Sequence, residues 1–501
     1  MRDSSDYLPE VVYEASQVSA LDARFIDDFG VDGYELMQRA ARAAFDELAH
    51  YWAMPGRMTV LCGPGNNGGD GFLVASLAMA AGWTVTLESL VDADEIGGDA
   101  ARAVKRFRET GGLVSPFADT AIEADVVVDA LLGTGVNRDV EGDIARAIER
   151  INDAGDRGAG VFAVDIPSGI DATTGHVWRH AVRADATTTF IGLKLGMLTG
   201  EGPAHCGELA FSALDAPDAL YRDAPYVARR LTHRALRRAL VPRSRNVHKG
   251  DNGHVLCIGG NRGFGGAIRM TAEAALRSGA GLVSVACHPD HAGAMSQARP
   301  ELMCRGIAPD ERPEALIAAA DVLAIGPGLG ADDWGRALWQ AAMDSDKPLV
   351  VDADALNQLA QAPRARGCWI LTPHPGEAGR LLGCSTAEVM DDRVGTAQAI
   401  ARRYDAVTVL KGAGSLIATP EELWLCTDGN PGMAVGGMGD LLTGVIAALH
   451  GQGLDIGTAA GMGVYVHARA GDAAADAAGQ RGLLPMDLLD WLRHYVNPAR
   501  T

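Results

Sequence analysis

The chain has 501 residues and a formal net charge of −20, from 44 lysines and arginines against 64 aspartates and glutamates. This acidic balance argues against a nucleic-acid surface, so any phosphate ligand must be held by local positive groups. Apolar residues make up 48% and charged residues 22%, which indicates a globular protein. The length suggests two or three domains.

The N-terminal segment and the cysteines predict where the protein resides. The first ten residues, MRDSSDYLPE, lack the apolar core of a signal peptide, and no apolar stretch approaches 18 residues. We therefore expect no export, no membrane contact and a cytoplasmic location. The eight cysteines form no CxxC pair, which is typical of free thiols in a reducing compartment.

Apolar runs in the first half predict strands that alternate with helices. The runs are MTVLC (58–62), WTVTLESL (83–90), DVVVDALL (125–132) and GVFAVDI (160–166). Near-continuous Val, Ile and Leu strands separated by helices indicate a parallel sheet covered on both faces. Ligands of such sheets bind at the carboxyl ends of the strands.

The first of these strands is followed by GPGNNGGDG (63–71) and then by a helical run. Its glycines satisfy GxGxxG and Glu88 ends the next strand, so an NAD-dependent oxidoreductase is a competing hypothesis. Asp70 argues against it, because a carboxylate at the start of the helix repels a pyrophosphate. Asparagine and aspartate oxygens suit a cation or a sugar, so we favour a cradle for a substrate and a cation over a tight turn without a ligand.

Two further predicted strands end in polar clusters. Asp129 precedes GTGVNRD (133–139), and Asp165 opens DIPSGID. Carboxylates at the ends of buried strands are costly unless a ligand or a cation uses them. Lys194 lies in the apolar segment FIGLKLG, either as a site residue or as a lysine that extends its ammonium group to the surface.

In this order and spacing, GPGNNGGDG, DALLGTG, DIPSGID and FIGLKLG resemble the N-terminal epimerase domain of the NAD(P)H-hydrate repair proteins. The resemblance implies an epimerase domain over residues 1–220, which interconverts the R and S forms of a hydrated nicotinamide nucleotide at C6. The residues that it implies for binding the hydrate are Asn66, Asn67, Gly68, Gly69, Asp70, Gly133, Thr134, Gly135, Val136, Asn137, Arg138, Asp139 and Asp165.

The same resemblance implies a metal site and catalytic groups. Asn67, Asp129 and Ser168 match the family's ligands for K⁺. Opening and reclosing at C6 requires proton transfer, so Asp165 is the candidate acid/base and Lys194 its weaker candidate partner. The alternative is that the first half is a noncatalytic module for ligand sensing or interaction.

A stretch between Ala213 and Arg245, first rich in Pro and Asp and then basic, separates the two halves, and we place the domain boundary there. Beyond it, six apolar runs predict the strands of a second α/β domain. They are HVLCIGG (254–260), LVSVAC (282–287), DVLAIGPG (321–328), PLVVDAD (348–354), WILTP (369–373) and AVTVLKG (406–412).

The loops after these strands suit a phosphate-bearing ligand. GGNRGFGGAIRM opens a helix beside Arg262 and Arg269 and presents backbone N–H groups, as an anion site requires. His374, between two prolines, is either structural or part of a ligand crevice. Lys411 precedes a glycine loop where it could meet a nucleotide phosphate or ribose. The absence of GxxxxGK[ST] argues against a Walker-type NTPase.

The segment GGMGDLLTG (436–444) combines glycines, which can adopt backbone conformations closed to other residues, with the start of a helix and one carboxylate, Asp440. Backbone N–H groups and the helix dipole favour an anion there, and the carboxylate could take a proton from a substrate, which together suit phosphoryl transfer. The structural alternative is that Asp440 is an ordinary N-cap of the helix 441–449.

Together, KGDNGHVLCIGG, GPGLG, DADAL, LTPHPGE, VLKG and GNPGMAVGGMGDLLTG resemble the ADP- or ATP-dependent NAD(P)H-hydrate dehydratase domain, which has a ribokinase-like fold. The resemblance implies a dehydratase domain over residues 228–501. It implies contacts with the hydrate at Ala267, Gly328, His374 and Asp440. It implies contacts with the adenine nucleotide at Lys411, Gly412, Ala413, Gly414, Ser415 and Gly439.

We therefore predict an α/β protein of two domains, the first Rossmann-like with three α/β/α layers and the second ribokinase-like. The predicted function is the repair of NADHX and NADPHX: epimerisation, then dehydration of the S form with ADP to give NAD(P)H, AMP and phosphate. Asp440 would accept the hydroxyl proton during attack on ADP, with Mg²⁺ on the nucleotide phosphates.

ADP is expected as co-substrate because two-domain fusions of this kind look bacterial, although no residue decides between ADP and ATP. We also expect a homo-oligomer. A vitamin-type kinase of the same fold, whose product is a stable phosphate ester, is the main rival; it leaves the first half without a role.

Overall fold

The computed structural model describes residues 7–498 and divides the chain into two compact units, with the division between Ala228 and Arg229. The strands of the first unit are β1 (Val11–Val12), β2 (Arg57–Cys62), β3 (Thr84–Ser89), β4 (Val114–Pro116), β5 (Val126–Ala130), β6 (Gly160–Val164), β7 (Ala186–Phe190) and β8 (Glu208–Ser212). Its helices are α1 (Ala15–Asp27), α2 (Gly33–Tyr51), α3 (Asn66–Ala80), α4 (Gly98–Glu109), α5 (Gly142–Asp156), α6 (Gly202–Cys206) and α7 (Asp218–Tyr221), with a 3-10 turn at Leu195–Met197.

The sheet of the first unit is parallel throughout and has the order β4-β3-β2-β5-β6-β7-β8. From β2 the chain first builds β3 and β4 on one side and then crosses back to build β5 to β8 on the other. Such a reversal opens a crevice at the carboxyl ends of the two strands where it occurs. The crevice between β2 and β5 therefore lies beside the segments that follow these two strands, GPGNNGGDG and GTGVNRD.

Helices cover both faces of this sheet. Apolar residues of α1 to α4 form one core against it, and α5 supplies the second. Helix α3 is buried along most of its length because its glycines permit close approach: a Cβ placed at Gly71 would lie 2.5 Å from the Cβ of Ala130. The helix begins at Asn66, so the segment NNGGD forms its first turns rather than a loop.

The second unit is larger. Its strands are β9 (Ala228–Arg230), β10 (His254–Ile258), β11 (Leu282–Cys287), β12 (Met303–Gly306), β13 (Val322–Ile325), β14 (Leu349–Val351), β15 (Trp369–Leu371), β16 (Val407–Leu410), β17 (Ser415–Ala418) and β18 (Leu423–Cys426). Its helices are α8 (His233–Ala239), α9 (Gly265–Arg277), α10 (Pro289–Ala298), α11 (Glu314–Ala319), α12 (Asp333–Met343), α13 (Ala353–Gln361), α14 (Pro375–Leu382), α15 (Thr386–Asp391), α16 (Arg393–Tyr404), α17 (Met438–Gly451), α18 (Ile456–Ala478) and α19 (Leu489–Tyr495), with 3-10 turns at Lys249–Asn252, Pro431–Met433 and Pro485–Leu488.

The strands of this unit follow the order β9-β18-β17-β16-β15-β14-β13-β10-β11-β12. Pairing is parallel from β12 to β16, and β16, β17 and β18 then form an antiparallel meander. The order reverses between β10 and β13, which places a second crevice at their carboxyl ends.

Helices α9 and α17 pack side by side in the core of the second unit. Gly444 makes this possible, because a Cβ there would collide with the backbone oxygen of Thr271. Nearer their starts, a Cβ at Gly437 would lie 2.6 Å from the terminal methyl of Met270. Both helices therefore present their N-terminal turns to the same region.

All ten strands expected from apolar runs are present. The sequence analysis did not anticipate β7 or the β17–β18 hairpin. Strand β7 reads ATTTF, and its three threonines are buried rather than exposed. The hydroxyl of Thr187 donates to the carbonyl of Cys206 at 2.7 Å, which satisfies a polar group inside the unit. The eight cysteines are all free thiols, as expected.

Two candidate active sites

The first crevice contains a buried cluster of oxygen atoms. Asp129, at the end of β5, is fully buried and accepts from the Ser168 backbone N–H at 2.7 Å and from its hydroxyl at 2.6 Å. The Asn67 amide donates to the carbonyl of Leu132 at 2.7 Å. Burial raises the pKa of Asp129 to about 6, although the bonds from Ser168 oppose the shift.

The Asn67 side chain also carries an unsatisfied group. Its Oδ1 is buried without a hydrogen-bond partner. A buried carbonyl oxygen of this kind is costly unless an ion or a ligand contacts it. Asn67 Oδ1 and the Asp129 carboxylate are hard oxygen donors, which fits an alkali cation better than a transition metal.

A second cluster lies at the end of β6. Asp165 has a positive φ of 67°, a strained conformation for a residue other than glycine. Its carboxylate contacts the Lys194 ammonium group and lies 3.3 Å from the Thr189 hydroxyl and 3.4 Å from the Phe190 N–H. Strain that the surroundings maintain in this way is common at functional sites.

Lys194 is enclosed by its acceptors. Its side chain is 1% exposed, and its ammonium group donates to Asp165, to the Thr189 hydroxyl at 2.8 Å and to the Phe190 carbonyl at 3.3 Å. These three bonds use the three N–H groups of the ammonium. The alternative of a lysine that reaches the surface is therefore wrong.

Two more carboxyl groups lie near this ion pair. Asp70 on α3 is buried, and burial first, then Asp165 and Asp22, raises its pKa well above the ordinary value. Burial also raises the pKa of Asp22, on α1, to about 6, against the lowering effect of Lys194. The sequence analysis missed Asp22. A signal was available, because Asp22 stands among the apolar positions Val18, Leu21 and Phe25 of its helix.

The segment GTGVNRD follows β5 as a loop. Gly133 faces Asn67, since a Cβ at Gly133 would lie 3.6 Å from the Asn67 Cβ. The intervening Thr134 and Val136 are half-buried, and Gly135 and the last three residues, Asn137, Arg138 and Asp139, are exposed. The structure thus brings the start of the segment to the cation cluster and leaves its end at the surface.

The dinucleotide interpretation of GxGxxG is contradicted by Glu88. A dinucleotide site needs a free acid at this strand end to bind a ribose hydroxyl. Both Glu88 carboxylate oxygens are instead bound by the Arg150 guanidinium, at 2.7 and 3.1 Å, and the pair is buried. Glu88 also accepts from the Ala118 N–H at 3.4 Å, so it is a structural residue.

In the second crevice, three elements meet around Lys411. Its ammonium group lies 2.8 Å from Asp352, which follows β14, and 3.8 Å from Glu377 on α14. The other Asp352 oxygen accepts from the Thr443 hydroxyl of α17 at 2.9 Å. A Cβ at Gly439 would lie 3.1 Å from the Lys411 Nζ, so the lysine rests against the GGMGD backbone. Asp352 is the first residue of the segment DADAL, and no role for it was predicted from the sequence.

Asp440 lies in the first turn of α17 and is not its N-cap. The cap is Gly437, whose φ of 99° requires glycine, and Asp440 is the third helical residue. The N-cap alternative is therefore wrong. Burial and then the Asp352 carboxylate raise the pKa of Asp440 to about 7, although Lys411 opposes the shift. A carboxyl group with a pKa near neutrality can act as a base at ordinary pH.

His374 occupies the N-cap of α14. Its Nδ1 accepts from the Gly376 N–H at 3.0 Å, and its own N–H donates to Glu377 at 2.9 Å, which forms a reciprocal cap. Burial, followed by Lys411, lowers the pKa of His374, which favours the neutral ring. The helix start thus carries His374 and Glu377 to the Lys411 cluster.

The glycine segments after β10 and β13 lie together. Gly328 has a φ of 60°, and a Cβ there would lie 2.7 Å from the Phe264 Cβ and 3.4 Å from the Ala267 Cβ. The two arginines of the segment have acidic partners: Arg262 lies 3.3 Å from Asp290 and Arg269 lies 2.6 Å from Glu273. Backbone N–H groups of the α9 N-terminus therefore remain its main feature for an anion.

The loop from Lys411 to Ser415 is supported by a residue that sequence analysis missed. Arg393 on α16 is 2% exposed, and its guanidinium donates to the carbonyls of Lys411 at 3.4 Å and Gly414 at 3.2 Å. Burial lowers the pKa of Arg393 to about 10. The Ser415 hydroxyl closes the loop by donating to the Gly412 carbonyl at 3.0 Å; Ala413 lies exposed between them.

Between residues 7 and 498, no group of three or more His, Cys, Asp or Glu side chains forms a metal-binding cluster. Within the same range, no helix is long and apolar enough to cross a bilayer. A divalent ion in the second crevice would therefore depend on a ligand for most of its coordination, as Mg²⁺ does with nucleotide phosphates.

Comparisons with known families agree with this division into two units. Residues 33–196 match the model for the YjeF-related protein N-terminus, and residues 255–494 match the model for NAD(P)H-hydrate dehydratase. A solved ribokinase-like superfamily protein from Enterococcus faecalis is 30% identical, with a TM-score of 0.50, and the match covers 54% of this chain and 95% of that one. The predicted ribokinase-like fold is confirmed.

Relatives of similar length extend the comparison over the whole chain. The bifunctional NAD(P)H-hydrate repair enzyme of Coxiella burnetii is 44% identical over 97% of this chain and 100% of its own length. The enzyme of the same name from Escherichia coli is 42% identical over 100% of this chain and 97% of its own length. By this similarity over both units, the chain belongs to the family of bifunctional NAD(P)H-hydrate repair enzymes.

Proposed function

We propose that this chain repairs hydrated nicotinamide nucleotides in two steps. The first unit interconverts the R and S forms of NADHX and NADPHX. The second unit dehydrates the S form with ADP and gives NAD(P)H, AMP and phosphate. Support comes from the names of the relatives that match over the whole chain and from the two crevices. Each crevice holds a lysine paired with an aspartate and further carboxyl groups nearby.

The observation that carries the dehydratase proposal is the placement of Asp440. Its carboxyl group lies at the N-terminal turn of α17, beside Lys411 and Asp352, with a pKa of about 7. Water is a poor leaving group, so the C6 hydroxyl must first be activated. Asp440 accepts the hydroxyl proton while the oxygen attacks the terminal phosphorus of ADP and AMP leaves. The phosphate then departs from C6, and loss of a ring proton restores the nicotinamide ring.

The charge that develops on the transferred phosphoryl group is stabilised by the start of α17. The free N–H groups of Met438 and Gly439 lie in the first turn of α17, where the helix dipole adds positive potential, and Lys411 adds a cation beside Gly439. Asp352 holds Lys411 in place through its 2.8 Å contact. A bound Mg²⁺ would supply further neutralisation of the nucleotide phosphates.

The ligand contacts of this unit are proposed from the resemblance and from geometry. Ala267 and Gly328 adjoin each other at one side of the crevice, and His374 is brought to Lys411 at the other. We assign these three residues and Asp440 to the hydrate. We assign the segment from Lys411 to Ser415, together with Gly439, to the adenine nucleotide.

In the first unit we propose Asp165 as the acid/base group. Ring opening requires removal of the C6 hydroxyl proton, and reclosing requires its return. Lys194 holds the Asp165 carboxylate from a buried position. We assign the start of α3 from Asn66 to Asp70 and the loop from Gly133 to Asp139 to binding of the hydrate.

Asn67, Asp129 and Ser168 would hold the K⁺ ion. The unsatisfied Asn67 Oδ1 and the buried Asp129 carboxylate fit such an ion. When bound, K⁺ would supply a positive charge to the crevice and so favour a phosphate-bearing substrate. The residues themselves set the position of the helix start, because Asn67 and Ser168 both bond to Leu132.

One experiment tests both activities. Purified protein is mixed with racemic NADHX and either ADP or ATP, and NADH absorbance and both epimers, separated by chromatography, are followed over time. We expect both epimers to be consumed and phosphate to be released. Unreacted S-hydrate in the presence of both nucleotides would contradict the dehydratase, and a stable phosphorylated product would indicate a kinase. A homo-oligomer and a cytoplasmic location stay predictions from the sequence.

A further inference from the structure

We propose that Asp22 is a catalytic residue of the epimerase site, the proton donor that acts together with the Asp165 base, and that Lys194 is a positioning residue. This inference rests on the proposed epimerase function and assigns the second proton-transfer group that the reaction requires. Asp22 lies on α1, outside every segment that the sequence analysis connected with this site.

Helix α1 packs against the segment that carries Lys194. The Tyr13 N–H donates to the Leu193 carbonyl and the Leu195 N–H donates to the Tyr13 carbonyl, both at 2.9 Å, so the chain two residues before α1 is bonded on both sides of Lys194. A Cβ at Gly192 would lie 3.6 Å from the Leu21 side chain. Asp22 follows Val18 by about one helical turn, and the same Cβ would lie 2.9 Å from the Val18 side chain, so Asp22 lies on the face of α1 that packs against this segment. It interacts electrostatically with both Lys194 and Asp165.

Lys194 is not placed to give a proton to the substrate. A residue that gives a proton to the substrate must contact it, and the Lys194 side chain is 1% exposed. All three of its N–H groups are directed to Asp165, Thr189 and Phe190. Moving a proton from this ammonium would break a buried ion pair, which is costly. Lys194 is therefore suited to orient Asp165.

The carboxyl groups around Lys194 cannot all be ionised without cost. Asp22, Asp70 and Asp165 share one ammonium group, so ionisation of all three would leave a net charge of −2 in a confined space. Burial raises the pKa of Asp22 to about 6. Asp70 is more deeply buried and its pKa is raised further, with Cys62 nearby. Asp22 is half-buried, which leaves part of it accessible to a ligand.

These features give a balanced proton cycle. The Asp165 carboxylate takes the C6 hydroxyl proton, C6–O becomes a carbonyl, the C6–N1 bond breaks and its electron pair stays on N1. N1 receives the proton of Asp22. After rotation about the bond from C5 to C6, N1 attacks the other carbonyl face and returns its proton to Asp22, while the new hydroxyl oxygen takes the proton from Asp165. One carboxylate that takes a proton and one carboxyl group that gives a proton suit this exchange.

The test is Asp22→Asn in the full chain, assayed with R-hydrate and no ADP, with the epimers separated by chromatography. We expect the rate to fall roughly 100-fold or more, as for loss of a general acid. The wild-type rate should decline as pH rises past about 6, where Asp22 loses its proton. This alkaline decline should vanish in Asp22→Asn and return in Asp22→Glu. The groups that face Asp22 are Lys194, Asp165, Asp70 and Tyr221.

Asp27→Asn, an exposed position on the same helix, is the matched control and should keep the wild-type rate and profile. Dehydration of S-hydrate with ADP, measured on the same preparations, should be unchanged. A wild-type protein without epimerisation would overturn both the function and the inference. An active wild type whose rate and alkaline decline persist in Asp22→Asn would overturn the inference alone.

Discussion

The two units place their proposed bases by different structural devices. Asp165 follows a strand in a strained conformation, and a buried lysine contacts it directly. Asp440 lies in the first turn of a helix, and the lysine beside it is bound to another carboxylate, Asp352. An aspartate bonded to a lysine thus occurs in both crevices, but only in the first is that aspartate the proposed base.

This difference separates two ways to prepare a carboxyl group for proton transfer. In the second unit burial, and then the charge of the Asp352 carboxylate that is paired with Lys411, raise the pKa of Asp440 to about 7. In the first unit the lysine holds the base, and the other carboxyl groups carry raised pKa values. In the second unit the proposed base itself therefore has the raised pKa, whereas in the first unit the carboxyl groups near the base have it.

The largest expected effect tests whether the two sites are separate. Asp440→Asn removes the base but keeps its shape, so dehydration should fall roughly 10²- to 10⁴-fold. Epimerisation should continue at the wild-type rate. NADH absorbance and chromatography of the epimers measure the two activities on one sample. The exposed Asp333→Asn serves as a control, and loss of both activities in Asp440→Asn would argue against separate sites.

The next effect tests the role of Asp352 as the partner of Lys411. Asp352→Ala leaves a buried ammonium without its closest carboxylate and should lower the free energy of unfolding by about 3–5 kcal/mol. Thr443→Val removes only a hydroxyl that donates to Asp352 and should cost about 1 kcal/mol. Chemical denaturation of each variant measures both. Equal losses of unfolding free energy in the two variants would show that the contact between Asp352 and Lys411 contributes little to stability.

A smaller effect follows from the raised pKa of Asp440. As a base, Asp440 must be ionised, so the dehydration rate should rise about tenfold per pH unit up to about 7 and then level off. Because the folded-state pKa of Asp440 lies above its unfolded value, the contribution of this group to the free energy of unfolding decreases as pH rises from about 4 to 7. Asp440→Asn should therefore have the higher unfolding temperature at pH 8. A flat pH–rate profile would contradict this role.

The smallest expected effect concerns the cation cluster of the first unit. K⁺ at ten times its Kd should stabilise the folded unit by about 1.4 kcal/mol, whereas larger organic cations should not. Asn67→Ala removes the unsatisfied Oδ1 and should abolish this stabilisation. Thermal unfolding in K⁺ and in tetramethylammonium salts measures the difference. Equal stabilisation of wild type and variant would exclude Asn67 as a ligand.

The fold was predictable where the signal is local. Runs such as VVVDA are buried on both faces of the sheet, so their apolar character shows in the sequence. Strand β7 escaped notice because threonine is polar and its burial depends on partners such as Cys206. The β17–β18 hairpin was missed because its strands are short and extend the sheet at one side in antiparallel pairing.

The candidate sites were predictable only in part. Glycine, acid and lysine motifs mark the strand ends, and Asp165, Lys194, Lys411 and Asp440 were selected from them as candidates. Asp352 and Arg393 were missed because nothing in their immediate neighbours shows what they contact. Asp22 was missed although its place among the apolar positions of α1 was a signal.

Glycine-rich turns, apolar runs and their order along the chain are local properties, and the sequence therefore sufficed to indicate two α/β units, their family and the strand ends that carry chemistry. The pairing of charges depended on the tertiary structure, because it joins residues distant in the chain. Lys411 and Asp352 are 59 residues apart, Thr443 and Asp352 are 91 apart, and Glu88 and Arg150 are 62 apart. Folding decided that Glu88 is structural and that Lys411 pairs with Asp352. It also buried Asp440 beside Asp352, which raises the pKa of Asp440 to about 7.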